Sequence, residues 1–328
     1  MLSWSKNKDA VLYVHFPCFD GIVSAVLTLL FLEHEDWKFK SIEPVNYALR
    51  NEWLHRRLAP KSAVVDFLYH PEAVFWADHH QTSFINQQLW ADYQSRSGGW
   101  RVYDNDSGSC ALLLWRKFGG FFAADSRLEE MVKWADKIDS ARYDSVDEAL
   151  FGDHPALVMS SSLAVEADDQ YCRFLIGKLR TQSLHTVATS KEVQSRFMQA
   201  RALTDLGMQR VQETIHLENS VAVFEAEEKG ALINRYVPYY YHPNARYSIG
   251  LVRSEKAIKI TAMRNPWLHF ESINLGAFMK KFSGGGHQRV GSLVLPLERE
   301  KESQGIVEEL LTELHAQAKK ENVRAGVQ

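Results

Sequence analysis

The chain has 328 residues, of which 45% are hydrophobic, and its 38 basic and 41 acidic side chains leave a formal net charge of -3. That balance supports a packed core and excludes a wholly disordered chain. Without a basic excess it disfavours tight binding to long duplex nucleic acid, while a small anionic substrate held by local cations stays open. Length suggests two domains. Three cysteines, Cys18, Cys110 and Cys172, are too few and too odd in number for a disulfide framework, and they fit a reducing compartment. The opening "MLSWSKNKDA" lacks the apolar centre of a signal peptide, and no apolar run is long enough to span a bilayer. A cytoplasmic location and no membrane contact are the expectations.

In chain order, "AVLYVHF" reads as a strand and "DGIVSAVLTLLFLEHE" as a helix with Asp20 at its N-cap. "FKSIEPVNY" is a second strand, "NEWLHRRLA" a short amphipathic helix, and "SAVVDFLYH" and "AVFWADHH" are two more strands. "SGSCALLLWRKFGG" is a helix stopped by Gly119 and Gly120, with Ser107 and Ser109 as candidate caps. "DSRLEEMVKWADKIDSARY" is another, with Ser126 and Glu129 as a capping box. Strands alternating with helices predict an α/β fold: a mostly parallel sheet with helices on both faces.

From about Ala188 to Leu217 the chain is a long helical pattern, read as a connector. "SVAVFEA", "ALINRYVPYYY", "YSIGLVR" and "AIKITAMR" then read as strands, and "INLGAFMKKF" as a short helix. "SGGGHQRVGS", the strand "LVLPL" and the amphipathic helix "SQGIVEELLTELHAQAKK" close the chain. The second half is therefore expected to be a smaller α+β C-terminal domain. The resulting domains are 1–185, a connector at 186–217, and 218–328.

The ends of the first-half strands carry the chemistry. One strand ends at His15, with Cys18 and Asp20 following; another ends near Asp66; a third ends at Asp78, His79 and His80. A parallel sheet brings such ends to one edge, where ligands bind in folds of this class. Asp136, in "KWADKID", sits on a helix able to return to that edge. Taken singly, an Asp at a strand end is usually a turn or cap residue, and a lone His is usually structural. Their convergence is what points to a metal. A mixed His and Asp set suits Mn²⁺, Fe²⁺ or Zn²⁺. Two such ions about 3.5–4 Å apart can clamp a phosphoryl group and lower the pKa of a water between them. Asp66 is the expected shared carboxylate, because its strand should be central.

"HFPCFDGIVSA", "VVDF", "ADHH" and "FSGGGHQRVGS", in this order, resemble the motifs of the DHH phosphoesterase superfamily and its associated C-terminal domain. The resemblance spans roughly residues 10 to 296. It implies a metal-dependent hydrolase of phosphoester or phosphoanhydride bonds, usually with Mn²⁺. It implies metal ligands at His15, Asp20, Asp66, His79 and Asp136, with Asp78 orienting a histidine and His80 facing the phosphate. In the C-terminal domain it implies substrate binding by Gly284, Gly285, Gly286, His287 and Arg264. One departure stands out: Cys18 occupies a position where the superfamily usually has an acid. Cys18 either ligates as a thiolate, favouring Zn²⁺ or Fe²⁺, or stands aside and leaves one metal site weak.

The expected substrate is small and phosphate-containing, with a short single-stranded oligonucleotide or a phosphorylated nucleotide favoured. The chain is expected to lack the additional nucleic-acid-binding domain of large RecJ-type enzymes. Exopolyphosphatase or pyrophosphatase activity is the alternative, and a non-catalytic nucleotide sensor is the rival from another class. A homodimer is left open. Tyr239, Tyr240 and Tyr241 are read as strand residues rather than a base-stacking platform.

Overall fold

Short apolar runs form β1 (Asp9–His15), β2 (Lys38–Val45), β3 (Ser62–Val65), β4 (Phe75–Asp78) and β5 (Arg101–Tyr103). In the computed structural model these pair wholly in parallel, in the order β2-β1-β3-β4-β5, with β3 at the centre. The structure describes residues 9–96, 98–122, 124–166 and 168–325; the side chains of Asp9, His287 and of residues 318–325 lie outside what is described. The expected parallel α/β sheet is present. The chain divides into two compact units, 1–142 with 153–199, and 143–152 with 200–328.

In the first unit, strand alternation sorts side chains between two cores. Leu12, Val14, Ala63, Val65 and Phe75 enter one, while Tyr13, Val64 and Trp76 enter the other. α1 (Phe19–His34) covers the first face and is buried along most of its length. On the second face lie two 3₁₀ turns, Tyr47–Leu49 and Trp53–His55, and α2 (Gln87–Arg96), which contributes Leu89 and Tyr93. α3 (Cys110–Phe122) and α4 (Ser126–Asp139) return to pack on α1. α5 (Val146–Phe151) belongs to the second unit. α6 (Pro155–Ser162), α7 (Asp169–Leu179) and α8 (Leu184–Ala188) rejoin the first, and α9 (Lys191–Thr214) starts there and ends in the second. Each large apolar side chain buried in this way contributes about 1.5–3 kcal/mol, enough together to hold a set of carboxylates at the strand ends.

Four local expectations are corrected. "NEWLHRRLA" is not a helix; it is a 3₁₀ turn and a loop, because fully buried Trp53 ties its indole N–H to the Leu68 carbonyl at 3.0 Å. α1 begins at Phe19 after Cys18, so Asp20 lies inside the first turn. α4 is capped by Asp125, which accepts from the N–H groups of Arg127 and Leu128, and Ser126 is already helical. The stretch containing "VPYYY" is not a strand.

That stretch is α10 (Val237–Tyr241), in the second unit, with Pro238 in its first turn. The sheet there comprises β6 (His216–Glu218), β7 (Val221–Glu227), β8 (Tyr247–Arg253), β9 (Ala257–Arg264), β10 (Gly285–His287) and β11 (Val290–Pro296). Their order is β10-β11-β9-β8-β7-β6, and β7 and β8 form its parallel pair. α11 (Leu275–Lys280) and α12 (Glu300–Ala325) pack Leu275, Phe278, Leu310 and Leu314 with Ile258 and Ile260 of β9.

Candidate metal centre

β1 stops at His15, β3 just before Asp66, and β4 at Asp78. Parallel pairing of β3 with both neighbours sets these ends side by side. Gly21 lets α1 start close beneath them. A Cβ at that position would run into the His15 carbonyl oxygen and come within 3.3 Å of Asp66 Oδ2. Asp66 itself has φ +57°, a left-handed conformation that costs an L-residue about 1–2 kcal/mol and that Asp adopts more readily than most. Its N–H still donates to the Ala77 carbonyl at 2.9 Å.

The Asp66 carboxylate faces two ways. Oδ2 lies 3.2 Å from His15 Nδ1, and Oδ1 lies 3.7 Å from both His79 Nε2 and His80 Nδ1. His79 Nε2 is also 3.7 Å from Asp20 Oδ2 and 3.2 Å from Asp139 Oδ2. His79 Nδ1 meets the Ser107 carbonyl at 3.1 Å, so Nδ1 carries a proton and Nε2 faces the acids. Asp78 is fully engaged. Its Oδ1 accepts from the His79 N–H at 2.8 Å and meets His80 Nδ1 at 2.8 Å, and its Oδ2 accepts from Ser83 Oγ. Asp20 accepts from the Cys110 and Ala111 N–H groups at 2.7 and 2.9 Å, so it caps α3 rather than its own helix.

Three overlapping groups result, within each of which the candidate ligand atoms lie inside 4.8 Å of one another: His15, Cys18 and Asp66; Asp20, His79 and Asp139; and Asp66, Asp78, His79 and His80. Asp66 belongs to two of them, one oxygen toward each side. Burial pushes the Asp66 carboxyl well above the usual range, and Asp20 and Asp139 push it further. Burial and then Asp139 raise Asp20 as well, against His79 and the two amides. Burial lowers the His15 imidazole to about 4, with His80 adding to the effect. For His79 burial also lowers the value, but Asp139, Asp20 and Asp78 outweigh it and the imidazole rises to about 9. Burial raises the Cys18 thiol, followed by Asp66 and Asp139.

The residues fit a divalent cation. Asp66 Oδ1 and His79 Nε2 are buried with no hydrogen-bond partner among the described residues, which is costly without a further positive group. A carboxylate oxygen and an imidazole lone pair aimed at one another's neighbourhood are what such an ion satisfies.

Of the residues expected from sequence, His15, Cys18, Asp20, Asp66, Asp78, His79 and His80 come together here. Asp136 does not. Its Oδ2 pairs with the Arg142 guanidinium, and its Oδ1 packs against Gly108. Asp139, one helical turn later and the last residue of α4, takes its place. The signal was present in "KWADKID", which offers both aspartates at a spacing of three on one helix.

In the second unit, Arg264 is 8% exposed. Its Nη1 and Nη2 donate to the Asn265 and Phe270 carbonyls, both at 3.0 Å, and it stacks on the Phe270 ring at 4.2 Å. Gly285 and Gly286 belong to β10, paired with β11 rather than forming an open loop, and Gly284 donates to the Met279 carbonyl at 2.9 Å. Gly286 has φ +141°, and a Cβ there would strike the Val290 carbonyl. His287 ends β10 in its backbone; its side chain lies outside the described residues. Tyr239 is buried and donates its hydroxyl to the Met263 carbonyl at 2.6 Å.

No family model matches the chain, and no curated protein matches it in sequence. Solved structures match it in fold. The pGpG-specific phosphodiesterase PggH from Vibrio cholerae superposes with a TM-score of 0.72 at 19% identity, covering 94% of this chain and 100% of that one. The DHH domain of a protein described as a member of a ribosomal-protein family gives 0.59 at 12% identity, over 93% and 86%. RecJ from Thermus thermophilus, solved with Mn²⁺, gives 0.58 at 12% identity, over 93% of this chain and 52% of that one.

Proposed function

We propose that this chain, whose fold is that of the DHH-domain proteins, is a divalent-metal-dependent phosphoesterase acting on a small substrate. The observation that carries this reading is Asp66: a buried carboxylate whose two oxygens address two sets of candidate ligands, one of the oxygens with no hydrogen-bond partner among the described residues. In this proposal His15 and Cys18 serve one side, Asp20, His79 and Asp139 the other, and Asp66 both. Asp136 is left out of the ligand set. A bound cation would polarise a phosphoryl oxygen and acidify a water. The Ser107 carbonyl and Asp78 fix the rings of His79 and His80, so that His80 can hydrogen-bond the phosphoryl group. Mn²⁺ is the proposed ion, in keeping with the mixed oxygen and nitrogen donors and with the RecJ relative solved in its presence. Ligation by Cys18 would shift the preference toward Zn²⁺ or Fe²⁺.

A short oligonucleotide or a phosphorylated nucleotide is the proposed substrate. Support comes from PggH, named for its action on pGpG, which this fold matches over its whole length. For the C-terminal region, residues 218–328, a role in binding phosphate through Gly284, Gly285, Gly286 and His287 is proposed; Arg264, whose terminal nitrogens are committed to main-chain carbonyls, is left out. Location is proposed as cytoplasmic; among the described residues no helix is long and apolar enough to cross a membrane. No observation supports the homodimer, and it is not part of the proposal.

The test is metal analysis of the purified protein, then a Mn²⁺-supplemented panel of linear dinucleotides, cyclic dinucleotides, phosphoadenosine phosphate, pyrophosphate and polyphosphate. Hydrolysis of a dinucleotide or phosphoadenosine phosphate, lost in Asp66→Asn, is the expected result. Turnover restricted to pyrophosphate or polyphosphate moves the chain to the alternative activity. Binding of a nucleotide with neither metal nor turnover makes it a sensor and overturns the reading.

A further inference from the structure

A third buried polar atom at this sheet edge has no partner among the described residues: the hydroxyl of Tyr47. β2 runs beside β1 with Val45 opposite His15, and the chain turns immediately into the 3₁₀ segment that Tyr47 opens. Asn46 fixes that turn by accepting from the Ala48 N–H at 3.0 Å. The Tyr47 ring is thereby set 5.0 Å from the His15 ring, 5.3 Å from Phe67 and 6.1 Å from His80. These contacts require only an aromatic ring, and phenylalanine would make them without leaving a buried hydroxyl unpaired.

The three unpaired atoms are of two kinds. Asp66 Oδ1 offers an electron pair, as does His79 Nε2 once its proton is displaced, and one cation answers both. A neutral phenol offers a proton and calls for an acceptor. A phenol of ordinary pKa is protonated at neutral pH, so it is a donor. None of the described side chains accepts from it, and an oxygen that arrives with the substrate can fill that role.

We propose that Tyr47 is a substrate-contacting residue of this centre, its hydroxyl donating a hydrogen bond to a non-bridging oxygen of the phosphoryl group bound there. The inference rests on the phosphoesterase reading and adds to it a contact that no sequence motif marks.

Tyr47→Phe in the full chain, loaded with Mn²⁺, tests it against inorganic phosphate. Bound Mn²⁺ and thermal midpoint should match wild type, while phosphate affinity falls about tenfold or more, the worth of a hydrogen bond to a charged group. On any substrate that the panel identifies, kcat/KM should fall at least as far. Equal phosphate affinity in the two proteins overturns the proposal, as does loss of metal or fold in Tyr47→Phe, which would make the hydroxyl structural. Wild type that binds Mn²⁺ and phosphate but hydrolyses nothing sinks the phosphoesterase reading, and the phosphate comparison still decides for or against Tyr47. Wild type that binds no phosphate overturns the Tyr47 proposal outright.

Discussion

At the end of β3 in the first unit, Asp66 keeps an oxygen without a partner among the described residues; at the end of β9 in the second, Arg264 commits both terminal nitrogens to main-chain carbonyls. Both are ionisable side chains buried where an apolar strand stops. They differ in what their surroundings leave undone. The Asp66 edge gathers further acids and histidines, so burying it is costly until something positive arrives. The Arg264 edge supplies acceptors from the chain itself, so that charge is already stabilised. Unmet bonding capacity, more than charge or burial, separates a centre waiting for a ligand from a structural contact.

The comparison breaks most sharply at Asp66. Asp66→Ala should bring metal-dependent hydrolysis to background and remove bound metal; normal turnover with full metal content would show that the two ligand groups do not share it. Next comes the pair on α4. Asp139→Asn should weaken metal binding strongly, whereas Asp136→Asn should leave it intact and lose only a partly exposed ion pair with Arg142, worth about 0–1 kcal/mol. Metal titrations of both variants decide it, and the reverse order would restore Asp136 to the site. Asp78→Asn, which disturbs the bonds that hold His80, the His79 N–H and Ser83, should cost about 10–100-fold in metal affinity or activity.

A pH titration of metal affinity sharpens the same contrast. Without metal, His79 holds its proton up to about 9 and Asp66 is raised as well, whereas His15 is neutral above about 4. An ion must therefore displace protons at neutral pH. Apparent affinity should rise with pH by up to about tenfold per unit for each proton displaced, levelling near the His79 value; a flat profile between pH 7 and 9 would contradict it. The smallest effect belongs to the second unit. Arg264→Met should leave metal content unchanged and cost about 1–3 kcal/mol of stability by orphaning two carbonyls, seen as a lower denaturation midpoint.

Much of the first unit was legible because its signals are local. Apolar runs stop at His15, before Asp66 and at Asp78, and a parallel sheet gathers those stops without further information. Asp139 escaped because two aspartates three positions apart share a helix face, and the choice depends on where α4 ends against the sheet. Tyr47 escaped because nothing in "NYALR" marks a buried hydroxyl; only the register of β2 against β1 sets it over His15. "VPYYY" reads as a strand by side-chain preference, yet Pro238 suits the first turn of a helix and packing decides the rest. α6, α7 and α8 drew no prediction, being too short for a clear period, although Pro155, Asp168 and Ser183 mark their starts.

Asp20 joins two tasks in one side chain. It anchors the first amides of α3, and the loop just before that helix carries the Ser107 carbonyl that orients His79. Chemistry and architecture are thereby wired in series. Replacing Asp20 would leave two helix-start amides without their acceptor as well as removing a candidate ligand, so a loss of metal would come together with a loosened helix.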